Sequence, residues 1–192
     1  MSCLLVIDIQ NDFCDKKGSL YVKESDEIID NINKFIIEKR KSLEVIYTKD
    51  NHIEINSHFI QEGGIWPIHC MEGTWGNMFY SKLFVGNDDK IVKKGMYGDG
   101  YSAFSEICLK TKNKIESELA NYLTGKNISD IIIIGIAFDY CVLSTALDAS
   151  ERGFNVSIIK SLTKSVDPSK DEFNINLLEK NGVKILEQKI IE

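Results

Sequence analysis

Four consecutive isoleucines, Ile131 to Ile134, sit inside the run DIIIIG at 130–135. An unbroken apolar run of that length, rich in branched side chains, makes a buried strand rather than a half-exposed one. Similar short runs recur at CLLVI (3–7), LEVIYT (43–48), KIVK (90–93), NVSIIK (155–160) and VKILE (183–187). Helical patterns lie between them. Residues 26–40 carry Ile28, Ile29, Ile32, Phe35 and Ile36 at helical spacing. Residues 114–124 carry Ile115, Leu119, Tyr122 and Leu123, with Asn113 and Glu116 as the cap and Gly125 as the stop. A third helix is expected from Cys141 to Arg152, ended by Gly153, and a fourth behind the capping box Ser169-Lys-Asp-Glu172, stopping at Gly182. Strand and helix alternating in this way give right-handed βαβ units. The expected fold is therefore α/β: three layers, with a doubly wound, mostly parallel six-stranded sheet in the order 3-2-1-4-5-6 and helices on both faces.

A chain of 192 residues can bury one sizeable core, so a single domain over 1–192 is expected. With 43% hydrophobic and 27% charged residues it reads as a folded, soluble chain. The net charge of −6 argues against nucleic acid or an anionic membrane face as partner. The opening MSCLLVIDIQNDF lacks a basic leader and turns polar at Asp8, as a strand does and a signal peptide does not. Five cysteines without framework spacing fit reduced thiols, and hence the cytoplasm. One segment, about 51–89, breaks the βα rhythm and holds all three histidines, His52, His58 and His69. Irregular segments of that length inside a compact domain tend to be functional.

In open α/β sheets, ligands bind beyond the carboxyl ends of the strands, near the point where strand order reverses. Four chemically capable residues fall at such ends: Asp8 after the first strand, Asp50 after the second, Lys94 after the third and Cys141 after the fourth. The first and fourth strands flank the switch point, so Asp8 and Cys141 would face each other. A buried cysteine is by default inert core. In the first turn of its helix, however, the Cys141 thiol would meet free N–H groups that lower its pKa. A carboxylate at Asp8 opposes that effect unless Lys94 balances it. Asp50, His52, His58 and His69 together suit zinc, iron or manganese, with surface loop histidines as the plain alternative. Gly98-Asp-Gly100-Tyr-Ser-Ala103 matches the GxGxxA form of the dinucleotide fingerprint but does not follow the first strand.

Five blocks carry a family resemblance: VIDIQNDF (6–13), DNH (50–52), WPIHCMEGTWG (66–76), KKGMYGDGYSAF (93–104) and GIAFDYCVLSTALDA (135–149). In this order they resemble the signature blocks of the nicotinamidases (pyrazinamidases), within the isochorismatase-like cysteine hydrolases. The resemblance implies an isochorismatase-like hydrolase domain with an irregular metal-binding insertion at about 51–89. It implies a triad of Asp8, Lys94 and Cys141, with Lys94 rather than Lys93 selected by the glycine that follows it. Cys141 would attack the carboxamide carbon of nicotinamide to form a thioester, with Asp8 as base. Ala137 and Cys141 backbone N–H groups would form the oxyanion hole, after a cis peptide at Ile136–Ala137. Asp50, His52 and His69, with His58 as an additional ligand, would hold one divalent metal ion, zinc first, with iron or manganese as alternatives. Phe13 and Trp66 would sandwich the pyridine ring, and Ile136, Ala137 and Tyr101 would complete the substrate site. The implied product is nicotinic acid, released with ammonia in NAD salvage in the cytoplasm. The only partner expected is this small-molecule substrate, with a homo-oligomer compatible and neither nucleic acid nor membrane. Another hydrolase of the superfamily, acting on a carbamoyl or ureido group, is the rival reading. The chain departs from the family pattern at Asn51, where DNHI replaces the usual DWHP.

Overall fold

A computed structural model describes residues 1–55, 57–96, 98–108 and 110–187. Along the chain run β1 (Ser2–Ile7), α1 (Asn11–Cys14), α2 (Ile29–Lys39), β2 (Glu44–Asp50), β3 (Lys90–Lys94), β4 (Gly98–Asp99), β5 (Ser105–Cys108), β6 (Lys114–Glu116), α3 (Glu118–Gly125), β7 (Asp130–Ile136), α4 (Leu143–Glu151), β8 (Asn155–Lys164), α5 (Asp171–Lys180) and β9 (Lys184–Leu186). Six of these strands form one parallel sheet in the order β3-β2-β1-β7-β8-β9. Counted along that sheet alone, this is the 3-2-1-4-5-6 order the sequence predicts.

Alternation along the strands explains why both faces are covered. Cys3, Leu5 and Ile7 of β1, with Ile131 and Ile133 of β7, face one core built with Leu119 and Leu123 of α3, Ala146 and Ala149 of α4 and Leu178 of α5. Leu4 and Val6, with Ile134 and Ile136, face the opposite core with Ile29, Ile32, Phe35 and Ile36 of α2. Adjacent residues thus serve different layers, and no position in the isoleucine run of β7 can be polar. At the carboxyl end of β7, Gly135 has φ +119°, and a Cβ there would lie 2.2 Å from the Ile7 carbonyl oxygen. Only glycine lets β7 approach β1 this closely at the switch point.

Three sequence expectations need correction. Residues 114–116 are the strand β6, and β4, β5 and β6 form a separate antiparallel sheet. The helix that follows starts at Glu118, capped by Ser117, whose side chain accepts from the Leu119 N–H, so Asn113 and Glu116 are not its cap. Asp167 rather than Ser169 caps the last helical segment, accepting from the Ser169 N–H ahead of a 3₁₀ turn at Pro168–Lys170. The segment around Cys141 becomes helical earlier than expected, as a π turn over Phe138–Val142 that runs into α4. Gly98 to Ala103 leads into the antiparallel sheet, not into a helix, so no helix N-terminus is offered to a pyrophosphate.

Candidate active site

Asp8, Asp50, Lys94 and Cys141 meet where β1, β2, β3 and β7 end. Asp8 is fully buried, with φ +45°. Its Oδ1 accepts from the Thr48 hydroxyl at 2.6 Å, and its Oδ2 lies 2.9 Å from Lys94 Nζ. Lys94 Nζ also reaches Asp50 Oδ1 at 3.3 Å and Cys141 Sγ at 3.4 Å. One ammonium therefore stands between two carboxylates and a thiol, all beneath the protein surface. Lys93 points the other way, half exposed, and pairs with Glu72 at 2.8 Å. The geometry thus separates the two lysines.

Charge in this cluster is balanced by contact rather than by water. Burial disfavours the Lys94 ammonium, but Asp50 and Asp8 outweigh it and hold the pKa well above the ordinary lysine value. Burial raises Asp8, with Lys94 opposing and Asp50 reinforcing the rise. Burial likewise pushes the Cys141 thiol well up, against the pull of Lys94 and with Asp8 and Asp50 adding to the rise. This direction runs opposite to the acidification expected from the helix start, so a base beside the thiol gains importance. Burial, reinforced by Glu44 at Cys3 and by Asp26 and Asp8 at Cys14, raises Cys3 and Cys14 to about 12. Cys141 differs from them in having an ammonium beside it, Lys94 Nζ at 3.4 Å.

Beside the triad, Asp50, His52 and His69 bring one carboxylate oxygen and two imidazole nitrogens within 4.8 Å of one another, all buried. His52 Nε2 lies 3.2 Å and His69 Nε2 3.6 Å from Asp50 Oδ2. The opposite ring nitrogens contact carbonyls, His52 Nδ1 on Gly95 at 2.9 Å and His69 Nδ1 on Pro67 at 2.8 Å. A carbonyl only accepts, so each Nδ1 donates its hydrogen there, and each Nε2 is left directed at the Asp50 carboxylate. A carboxylate oxygen and two imidazole nitrogens converging in a buried site suit a divalent cation, with the carbonyl partners that orient metal-bound histidines. Lys94 and His52 hold the Asp50 carboxyl well below its ordinary value despite its burial, so it is anionic. His58 stands outside this group: its Nε2 accepts from the Gly100 N–H at 3.3 Å and lies 3.4 Å from Asp99 Oδ1. Its ring centroid nevertheless lies 5.8 Å from that of His52, beside the three.

The sequence profile of the isochorismatase domain matches residues 2–189. The chain belongs to the isochorismatase family. It is 32% identical to the nicotinamidase/pyrazinamidase of Mycobacterium tuberculosis over 169 residues, covering 86% of this chain and 88% of that one. With the nicotinamidase of Saccharomyces cerevisiae it shares 29% identity over 220 residues, 94% of this chain and 100% of the other. Among solved structures, the pyrazinamidase of Pyrococcus horikoshii in complex with zinc superposes with a TM-score of 0.87 at 32% identity, covering 97% of this chain and 99% of that one. PnC1 from L. infantum in complex with nicotinate gives a TM-score of 0.88 at 31% identity, covering 97% and 92%.

Within this family member, one small pocket contains Asp50, His69, Ala137 and Cys141, with Phe13, Trp66 and Tyr101 in its walls. Trp66 Nε1 donates to the Tyr101 hydroxyl at 3.0 Å. The peptide bond Ile136–Ala137 is cis. The Ile136 side chain, directly before Ala137, is buried in the α2-facing core. Leu20, Val22, Tyr140 and Val166 complete the walls and were missed from the sequence. Tyr140 packs edge-on against Trp66 and Tyr101, at centroid distances of 5.0 and 5.1 Å. Its place directly before Cys141 was the available signal; Val166 arrives from beyond β8 and had none. Asn51 is fully buried, its side chain donating to Glu72 at 3.3 Å and accepting from Asn77 at 3.1 Å. An amide network thus occupies the position where the family pattern has an aromatic ring.

Proposed function

We propose that this chain is a metal-dependent nicotinamidase of the cytoplasm, hydrolysing nicotinamide to nicotinic acid and ammonia in NAD salvage. The observation that carries the reading is the buried contact chain of Asp8 Oδ2, Lys94 Nζ and Cys141 Sγ, at 2.9 and 3.4 Å, whose cysteine lines an aromatic pocket. Relatives named for nicotinamide and pyrazinamide hydrolysis support it. In the first half-reaction Asp8 takes the thiol proton while Cys141 Sγ adds to the amide carbon. The carbonyl becomes an oxyanion, held by the Ala137 and Cys141 backbone N–H groups. The C–N bond then breaks as Asp8 returns its proton to the departing ammonia, leaving a thioester. In the second half, Asp8 takes a proton from water, the resulting hydroxide adds to the thioester, and the C–S bond breaks to release the acid. The departing thiolate recovers a proton from Asp8. Lys94 holds Asp8 and Cys141 in place electrostatically. Phe13 and Trp66 stack on the pyridine ring. A divalent metal, held by Asp50, His52 and His69, would supply a Lewis-acidic anchor for the ring nitrogen.

Ammonia release measured over nicotinamide, pyrazinamide and a set of carbamoyl and ureido compounds tests the assignment. The expected outcome is turnover of the two pyridine-type amides and none of the ureido compounds. Turnover confined to the carbamoyl and ureido compounds would transfer the chain to the rival hydrolase class.

A further inference from the structure

Two buried carboxamides lie behind the histidine–carboxylate group, and no step of the proposed chemistry uses them. Gln10 is fully buried, and Asn77 is 4% exposed. Gln10 Oε1 accepts from the Asp50 N–H at 2.7 Å, while its Nε2 donates to the Asp50 carbonyl at 2.8 Å. One side chain thereby pairs both backbone groups of a single residue, as a neighbouring strand would, at the point where β2 ends. The same Nε2 also donates to the Asn77 carbonyl at 2.9 Å. Asn77 Nδ2 in turn lies 2.9 Å from the Asp50 carbonyl and 3.1 Å from the Cys70 carbonyl. Cys70 directly follows His69, and its carbonyl also accepts the His52 N–H at 3.1 Å. The backbones that present Asp50, His52 and His69 belong to two separate segments, and these two amides tie them together.

We infer that Gln10 and Asn77 are positioning residues that set the geometry of the Asp50–His52–His69 group, and through it the affinity for a divalent metal ion. The inference rests on the metal reading of that group. Neither amide touches the three side chains' metal-facing atoms; each fixes the backbone from which they project. Groups that orient metal ligands in this way typically govern affinity by about 10–100-fold. A purely structural role would instead lower thermal stability and leave metal affinity unchanged.

Zinc affinity of the purified full-length chain, measured by competition with a chromophoric chelator well below the Tm of each variant, separates the two. Asn77→Ala removes one amide; Gln10→Met removes the other and preserves much of its volume. Ile32→Ala, in the α2-facing core, serves as the destabilised control. The expected result is one zinc on the wild type, affinity weakened about 10–100-fold in both amide variants, and unchanged affinity in Ile32→Ala despite its lower Tm. Wild-type affinity in either amide variant overturns the inference. If Asn77→Ala fails to fold, Gln10→Met decides alone. A wild type that binds no zinc removes the metal reading itself, an outcome distinct from tight binding that survives loss of the amides.

Discussion

At Gly95, a Cβ would lie 2.5 Å from Asp50 Oδ1 and 3.1 Å from His52 Cε1, and the backbone sits at φ +69°. The same residue's carbonyl orients the His52 ring. Gly95→Ala should therefore reduce zinc affinity by about tenfold or more, read by chelator competition, because the new methyl must displace a ligand. Its backbone strain alone adds about 1–2 kcal/mol of destabilisation, read by denaturant unfolding. Asp8 leads to a second prediction. Asp8→Asn keeps the shape but cannot accept the thiol proton, so the rate of thioester formation in single-turnover experiments should fall by about 10²–10⁴-fold. The pH profile follows from the direction of the Asp8 shift. The base works deprotonated and its pKa is raised above 3.8, so kcat/KM is retained above that raised pKa and lost as pH falls through it. An acid limb at or below the ordinary aspartate value would contradict this role. Asp8, Asp50, Lys94 and Cys141 were legible in the sequence because each stands at the end of a recognisable apolar run. Gln10 and Asn77 were not, because their partners are backbone groups whose approach only the folded chain reveals.

Asp139 illustrates how one element positions another. Its carboxylate accepts from the Val166 N–H at 2.9 Å and the Asp167 N–H at 2.8 Å, pinning the segment after β8 against the π turn that carries Cys141. Val166 lines the pocket, so this pin shapes the substrate site from a distance. Asp139→Ala should cost about 1–3 kcal/mol in unfolding free energy through two unsatisfied N–H groups, and raise KM more than it lowers kcat. An unchanged KM would mean that the segment holds its place without the carboxylate. The main strands were readable as short, unbroken apolar runs, and α2 from its apolar spacing of 3.6 residues. The β4-β5-β6 sheet was not: its strands have two, four and three residues, too short for a period to show. Ile115 then completes a helical pattern with Leu119 by coincidence, while the real boundary is marked only by the Ser117 cap.

Over the whole molecule, the crossing of strand order between β1 and β7 creates the crevice, and the irregular residues between β2 and β3 contribute Trp66 and His69 to its walls. Sheet order was readable from the succession of elements and the handedness of βαβ connections. How the segment at 51–89 folds over the strand ends was not, since its bridges, such as His52 with Met71 and Phe59 with Trp66, join residues with no common period. Among the described residues no helix is long and apolar enough to cross a membrane. Removing metal from the intact chain should lower its Tm, because a cation binds the folded arrangement of Asp50, His52 and His69 and not the unfolded chain. It should also weaken nicotinamide binding, read by calorimetry on metal-free and zinc-restored protein. The central claim, that Cys141 is the nucleophile, is tested most directly by acid-quenching the enzyme during turnover of nicotinamide and weighing the intact protein and its peptides. The account predicts one nicotinoyl group on the peptide containing Cys141, and neither adduct nor ammonia release from Cys141→Ala. Ammonia release by Cys141→Ala near the wild-type rate would contradict it.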